Sequence, residues 1–442
     1  MKVRAAHRAD VLLVVPLLAA AAAAFGVVGA DARWLAAIGA AIARGHFVHS
    51  VPFASAPTSG WVNPTVLGEL GFHWLWALLG DRGLILAQVV AVLAGFVALA
   101  RGLRRETESN AAAAAVLFFV LVGSLPAVLV ARNQLFSLVL FPLLLLLLER
   151  ESETPSWRIW LAVPLLALWA NLHGAVLVGY ALLAVYILVA RRRAVLVLLA
   201  ATAALCATPE LWHTPRYYAA VSENEAARMG VGLWSPLGAS PADVLLAIAA
   251  VALLVIAVWP GTRRWHAWEA VAVLGLVAAT VDAARLGTWL LLVAAYPATR
   301  SLRLRRSSTV SVLVPALLAL VVVGGVAHTP FDAGSRVLAG LAARSGSPVL
   351  AEPVAAEQVA VAGGRVWVGN PLEAFRHEDQ RLYLDWAEGK ARGSAAVRHA
   401  QLVLVRRESA AGRSAARDPR LVVLRRTSNA VLYRVRGPQT YR

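Results

Sequence analysis

A succession of apolar segments sets the strongest limit on what this chain can fold into. The segments follow one another along most of the sequence, and short loops rich in arginine separate them. A helix needs about 20 apolar residues to cross the hydrocarbon core of a bilayer. The sequence therefore predicts an all-α polytopic membrane protein with about eleven transmembrane helices. The stretches lie at 11–29, 83–100, 111–130, 134–149, 159–172, 174–190, 194–207, 242–259, 267–283, 286–299 and 309–326.

Composition agrees with this class of protein. Of the 442 residues, 59% are hydrophobic and 15% are charged, whereas a soluble domain carries about 25% charged residues. The net charge of +17 comes from basic residues clustered between apolar segments, which is typical of membrane topology rather than of a nucleic-acid surface. The single cysteine, Cys206, excludes a disulfide framework and a thiolate zinc site.

A further apolar stretch, 66–79, decides the orientation of everything after it. It is too short to span comfortably and contains Glu69. If it lies in the interface, the arginine runs and the basic N-terminus share one side of the membrane, as the positive-inside rule requires. We therefore expect a juxtamembrane helix in a long first outer loop, a cytoplasmic N-terminus and a C-terminus outside the inner or plasma membrane. The runs are Arg101, Arg104 and Arg105; Arg191–Arg193; Arg263 and Arg264; and Arg300, Arg303, Arg305 and Arg306.

The first span allows a second interpretation. Basic residues precede it, and Ala30-Asp31-Ala32 at its end resembles a cleavage site. A cleaved signal peptide is therefore the alternative to an uncleaved first span.

After the last span, the long apolar stretches give way to short segments. Short alternating segments predict strands near 348–351, 365–369, 401–405, 421–426 and 430–435, with an amphipathic helix over 371–388. No Gly-rich phosphate loop joins a strand to a helix there. We expect two domains: a polytopic transmembrane domain, 1–326, and a small extracytoplasmic α/β domain, 327–442.

Asp31 is the candidate catalytic residue. It ends the first span, and its carboxylate is placed at the outer hydrocarbon boundary, where desolvation raises the pKa of a carboxyl group and makes it a better base. The alternative is an N-cap for a helix over 33–44, a position that favours Asp.

Other polar residues fall on the same predicted outer side and are candidates for substrate binding. Arginine suits phosphate because its planar fork stays charged in any environment. For Arg285 the alternative is a helical ion pair with Asp282, and for His173 it is a loop cap. No histidine has zinc-type spacing, so no metal cofactor is predicted, and a divalent metal site is the weaker alternative. The binding candidates are Glu69, Arg132, Asn133, Asn171, His173 and Arg285.

The order of these motifs resembles the GT-C superfamily of polytopic membrane glycosyltransferases, in particular its bacterial branch with an extracytoplasmic C-terminal domain. Together the motifs cover about residues 27–300. They are Asp31-Ala32-Arg33-Trp34, Gly60-Trp61-Val62-Asn63, Leu67-Gly68-Glu69-Leu70, Arg132-Asn133-Gln134, Trp169-Ala170-Asn171-Leu172-His173-Gly174 and Trp234-Ser235-Pro236.

The resemblance implies a function. Asp31 would act as general base on an acceptor hydroxyl, and the donor would be a sugar on a polyprenyl phosphate. Arg285 or Arg132 would stabilise the leaving lipid phosphate, with inversion at the anomeric carbon. The acceptor would be a glycan, lipid or protein of the cell envelope. Neither a nucleotide nor a metal cofactor is required, and membrane lipid is the expected surrounding.

The chain also departs from the family pattern. Relatives carry a second acidic residue before a Pro-Phe element, where this chain has Val51-Pro52-Phe53, and a His-Glu pair where it has Pro64-Thr65. Of the acidic residues expected in this part of the first loop, this chain keeps Glu69. The rival hypothesis is therefore a non-catalytic lipid-glycan flippase or transporter, or an assembly partner for an envelope polymer.

Overall fold

The computed structural model describes residues 8–29, 31–45, 49–58, 60–259, 265–304, 309–327 and 333–436. The basic residues at positions 2, 4, 263–264 and 305–306, for which the sequence predicts a cytoplasmic position, lie outside these ranges. Ala30 of the predicted cleavage site also lies outside them.

The described chain is mostly helical. Its α-helices are α1 Val14–Ala24, α2 Ala32–Ala43, α3 Val66–Leu79, α4 Asp81–Glu106, α5 Asn110–Gly123, α6 Leu125–Leu129, α7 Leu135–Glu153, α8 Ala162–Ala170, α9 Val176–Ala190, α10 Val195–Ala204, α11 Thr214–Glu223, α12 Glu225–Met229, α13 Ala242–Val258, α14 Ala267–Asp282, α15 Gly287–Ser301, α16 Leu313–Ala327, α17 Ala333–Arg344, α18 Pro353–Val361, α19 His377–Ala387 and α20 Ala410–Ala415. Its strands are β1 Arg8–Asp10, β2 Val27–Val28, β3 Val130–Ala131, β4 Thr309–Ser311, β5 Pro348–Ala351, β6 Arg365–Val366, β7 Leu402–Arg406, β8 Leu421–Arg426 and β9 Ala430–Val435.

Each predicted apolar stretch contains one of these helices. Among the described residues, one helix, α4, is long and apolar enough to cross a membrane by length and composition alone. Its 26 residues span about 39 Å at the helical rise. Asp81 lies in its first turn, and Arg104 and Arg105 lie in its last, so both ends complement the helix dipole.

The chain divides into two compact units. The first unit comprises residues 1–28, 79–211 and 230–329, and the second comprises 29–78, 212–229 and 330–442. The sequence predicted a single boundary after residue 326. The second unit differs from the predicted C-terminal domain because it also contains the long first loop and a short segment at 212–229.

Helix α15 forms the centre of the first unit. Nearly all of its residues are buried, including Trp289 and Tyr296. A helix with apolar side chains all around its surface is buried by neighbouring elements on all of its faces. Helix α15 accordingly packs against α4, α5, α7, α13 and α14.

Arg300 near the end of α15 is the hub of a buried ion-pair network. Its guanidinium lies 2.6 Å from Glu106, 3.0 Å from Glu149 and 2.5 Å from Glu269. The four side chains are at most 9% exposed. The sequence placed Arg300 with the arginine runs of the cytoplasmic side. In the structure it joins the ends of α4, α7 and α15 to the start of α14.

The second unit is built around a five-stranded mixed sheet with the order β6-β5-β7-β9-β8. Strands β6, β5 and β7 are parallel, and β9 runs antiparallel to both β7 and β8. Side chains alternate between the two faces of a strand. On β7, for example, Leu402 and Leu404 enter one apolar core, whereas Val403 and Val405 enter the other.

The first long loop completes one of these two cores. Trp34 and Ile38 of α2, with Phe53 and Trp61 of the loop, pack with α17, α18 and the strands. The Trp34 and Phe53 rings stack at 4.7 Å between centroids. The loop therefore belongs to the second unit because its apolar face needs a cover, and the sheet and its helices provide one.

Helix α3 occupies the stretch predicted as a juxtamembrane helix. Its buried face packs closely on α2, where a Cβ at Gly39 would lie 2.1 Å from the Glu69 carbonyl oxygen. Its other face leaves Leu67, Trp74 and Leu78 exposed. An exposed apolar face that carries a tryptophan is expected of a helix that lies in the membrane interface.

Candidate functional site

Asp31 has an unusual backbone. It occupies the N-cap position of α2, but its φ is 110°, which favours glycine. A conformation of this kind costs about 1–3 kcal/mol and persists where the surroundings hold it. The side chain makes no capping hydrogen bond to α2, so the capping alternative considered from the sequence does not describe it.

The Asp31 carboxylate instead faces a residue of the C-terminal segment. Asn370 donates a hydrogen bond from its amide to Asp31 Oδ1. A Cβ on the preceding residue, Gly369, would lie 2.3 Å from the Trp34 ring. Only glycine fits there, and this close approach brings Asn370 against the start of α2.

A buried ion pair lies beneath the same backbone. Glu357 of α18 accepts hydrogen bonds from the backbone N–H groups of Asp31 and Arg33, at 3.2 and 3.3 Å. The Arg33 guanidinium donates to the other carboxylate oxygen at 2.8 Å. The Glu357 side chain is fully buried and that of Arg33 is 9% exposed. Burial pushes the pKa of Glu357 upward, whereas the charge of Arg33 and these hydrogen bonds favour the ionised carboxylate.

Glu69 is a second buried acid of this unit. It lies in the first turn of α3, is 1% exposed, and accepts a hydrogen bond of 2.7 Å from the Asn63 amide. Burial raises the pKa of Glu69 to about 8, and the nearby Glu373 carboxyl adds to the rise. At neutral pH this carboxyl group is therefore largely protonated and can donate a hydrogen bond.

Glu373 and Tyr217 complete the acidic group. Burial raises the pKa of Glu373 to about 7, and the charge of Asp31 contributes. Burial also raises the pKa of Tyr217, with further contributions from the charges of Glu373, Glu69 and Asp31. The second unit thus gathers Asp31 with two buried acids, the half-buried Glu373, a phenol and two amides.

The raised pKa of Glu69 predicts a pH dependence of stability. The carboxyl titrates near 4.5 when unfolded and near 8 when folded. Its contribution to stability is fully present below pH 4.5 and is lost as the pH rises through about 8. We expect thermal unfolding in detergent to show a smaller loss of Tm between pH 5 and 9 in Glu69→Gln than in the wild type.

The exposed Glu378 provides the control for this prediction. Glu378→Gln should keep the wild-type slope, because that side chain is exposed. Superimposable Tm curves for the wild type and Glu69→Gln would show that Glu69 is ionised in the fold.

The remaining predicted site residues lie in the first unit. His173 occupies the break between α8 and α9 and shares a hydrogen bond of 2.6 Å with Ser137, which also accepts one of 2.7 Å from the Trp169 indole. Burial lowers the pKa of His173 to about 3, and the charges of Arg285 and Arg132 lower it further. His173 is therefore neutral and lies within electrostatic reach of both predicted phosphate-binding arginines.

The two arginines are held by neighbouring side chains. Arg132, which directly follows β3, donates to Gln134 at 2.7 Å. Arg285 stacks on Trp234, with its guanidinium carbon 3.6 Å from the ring centroid. Such stacking fixes the plane of the guanidinium.

The two asparagines of the prediction differ. Asn171 uses its amide to donate to the carbonyl oxygens of Ala167 and Ala207, so it ties α8 to the segment after α10. The side-chain oxygen of Asn133 is buried without a hydrogen-bond partner. Of the two, Asn133 keeps an acceptor for a ligand.

Within the described ranges, no group of three or more His, Cys, Asp and Glu side chains is arranged to hold a metal ion. The arrangement offers proton transfer and anion binding through the side chains themselves.

Sequence reasoning did not assign Glu357, Asn370, Glu373, Asn63 or Tyr217 to the site, although Asn63 lies in one of its motifs. One signal for two of them was available: Asn370 and Glu373 follow β6, and ligand sites in α/β sheets collect beyond the carboxyl ends of parallel strands. The C-terminal segment supplies two of these acids, Glu357 and Glu373.

No family model and no curated protein matches this chain. Among solved structures, the chain is similar to ArnT from Cupriavidus metallidurans bound to undecaprenyl phosphate, at 15% identity and a TM-score of 0.41. The similarity covers 97% of this chain and 98% of ArnT.

Proposed function

We propose that this protein is a GT-C-type glycosyltransferase. It moves a sugar from a polyprenyl-phosphate donor to a cell-envelope acceptor on the outer face of the membrane, with inversion, and Asp31 is its general base. The N-terminus is cytoplasmic, and the C-terminal residues are extracytoplasmic.

The main support for this proposal is the backbone conformation of Asp31 and the absence of a capping hydrogen bond from its side chain. Its backbone adopts a costly conformation, and its side chain does not cap the helix that it precedes. Strain of this kind clusters at functional sites, where the surroundings pay for a required geometry. The carboxylate is instead bound by the Asn370 amide of the C-terminal segment.

The reaction is a single displacement. Asp31 takes the proton of the acceptor hydroxyl as the acceptor oxygen forms a bond to the anomeric carbon. The bond between that carbon and the phosphate oxygen breaks, and the lipid phosphate leaves with the electron pair. Asp31 then returns its proton to water, so the base is regenerated.

The leaving phosphate requires cations. Arg132 and Arg285 are assigned this role because a planar guanidinium binds phosphate oxygens in a bidentate manner. Neutral His173 and Asn133 lie with them in the first unit and orient the donor. Glu69, which is buried and bound to the Asn63 amide, shapes the acceptor side from within the fold.

The direct test uses membranes that contain the full chain and a radiolabelled polyprenyl-phosphate sugar. Transfer of label to an acceptor supports the enzyme. Label that merely crosses the bilayer supports the lipid-glycan carrier instead, and would overturn the proposal.

Arg285→Gln should lower kcat/KM for the labelled donor by about 10²- to 10³-fold, because an electrostatic contact to the developing phosphate charge is lost. Arg285→Lys should fall between this variant and the wild type, since a lysine keeps the charge but not the fork. The control is Arg82→Gln, which removes an exposed arginine of the same unit. Equal losses in Arg285→Gln and Arg82→Gln would contradict the assigned role.

A further inference from the structure

Helix α2 begins without the cap that its sequence provides. The first N–H groups of a helix need acceptors, and an N-cap Asp normally bonds the N–H of the second or third helical residue. Arg33 is the second residue of α2, and its N–H bonds Glu357 instead. The acceptor comes from a residue 324 positions away in the sequence.

The same carboxylate oxygen also binds the N–H of Asp31. One oxygen therefore fixes two N–H groups on either side of Ala32, and this holds the backbone at the φ of 110°. The other oxygen is held by the Arg33 guanidinium at 2.8 Å. Because Glu357 is fully buried, it has little freedom to adopt another position.

Asn370 acts on the side chain rather than on the backbone. Its amide donates to Asp31 Oδ1, and it reaches this position because Gly369 packs directly against Trp34. Backbone and carboxylate of Asp31 are thus each held by a residue of the C-terminal segment.

We propose that Glu357 and Asn370 are positioning residues for Asp31: Glu357 caps α2 in its place, and Asn370 orients the Asp31 carboxylate. The C-terminal segment is then a part of the catalytic machinery rather than a separate docking module. The catalytic part of this inference rests on the proposed function, whereas the capping part does not.

The capping part is tested by hydrogen–deuterium exchange on the full chain in detergent. Glu357→Gln keeps one oxygen, which can accept from the N–H groups or from Arg33 but not from both. We expect exchange of the Asp31 and Arg33 amides to rise about tenfold, with no comparable change elsewhere. Unchanged exchange at these two amides would overturn the capping role.

Glu352→Gln is the matched control. Glu352 is also a buried acid just after β5, and it accepts a hydrogen bond of 2.6 Å from the Arg406 backbone. Its replacement should lower thermal stability to a similar degree while leaving the Asp31 and Arg33 amides protected. Exchange that rises equally in both variants would mean that general loosening, and not the cap, is responsible.

The positioning part is tested with the labelled polyprenyl-phosphate sugar in membranes. Glu357→Gln should lower kcat about tenfold or more and leave the donor KM unchanged, because the donor contacts are intact. Wild-type kcat in Glu357→Gln would overturn the positioning role while leaving the transferase itself in place. A wild-type chain that transfers no label would contradict the proposed function, and the exchange measurement would still decide the cap.

Asn370→Ala provides a second variant if Glu357→Gln does not fold. Removing a hydrogen bond to the ionised carboxylate favours its protonated form. We expect the acid limb of the pH–rate profile to move to higher pH in Asn370→Ala. A profile that coincides with that of the wild type would contradict the role of Asn370.

Discussion

Replacing Asp31 by Asn should reduce sugar transfer by about 10²- to 10⁴-fold, which is the usual contribution of a positioned general base. The amide has the same shape as the carboxylate but cannot accept the acceptor's proton. Asn also tolerates positive φ better than most residues, so the start of α2 should keep its conformation. The measurement is the initial rate of label transfer in membranes, with thermal unfolding of the purified variant beside it.

Asp31→Gly separates the chemical role from the backbone role. Glycine adopts a φ of 110° without strain, so this variant should unfold at the wild-type temperature or above it, while transfer is lost as in Asp31→Asn. The matched control is Asp385→Asn, which changes a buried acid of the same unit whose partner is Lys390. Transfer at the wild-type rate in Asp31→Gly would exclude the carboxylate from the reaction.

The second large effect concerns stability. Arg300→Gln should destabilise the protein by about 3–5 kcal/mol, because removing one partner of a buried ion pair leaves uncompensated charge. Here three carboxylates lose their shared cation. Thermal unfolding in detergent should show a clear fall in Tm.

Two further variants make this test specific. Adding Glu269→Gln to Arg300→Gln removes one of the stranded negative charges and should recover part of the lost Tm. Arg303→Gln changes an exposed arginine three residues away and should have little effect. An Arg300→Gln protein with the wild-type Tm would show that the three glutamates carry no net charge that needs Arg300.

Local patterns predicted the elements of the fold well. The strands β5, β8 and β9 occupy the predicted segments 348–351, 421–426 and 430–435, because alternation of apolar side chains is a local property. The predicted strand at 365–369 is shorter in the structure and ends at Val366, where the chain turns toward Asn370.

Long-range partners were beyond such patterns. Asp31 and Glu69 stand out locally, but nothing near them in the sequence indicates Glu357 or Asn370, which lie 326 and 339 positions from Asp31. The partners of Arg300 were equally impossible to predict. In the sequence Arg300 resembles any other interfacial arginine, and only the fold places Glu106, Glu149 and Glu269 next to it. Pairing of charges across the fold depends on packing, which a single sequence does not state.

The pH dependence of transfer by the wild type and by Asp31→Asn, measured side by side between pH 5 and 9, tests the account most directly. We predict that wild-type transfer exceeds that of Asp31→Asn at every pH, and that Asp31→Asn stays near the background rate throughout. Two profiles of the same height and shape would contradict Asp31 as the base.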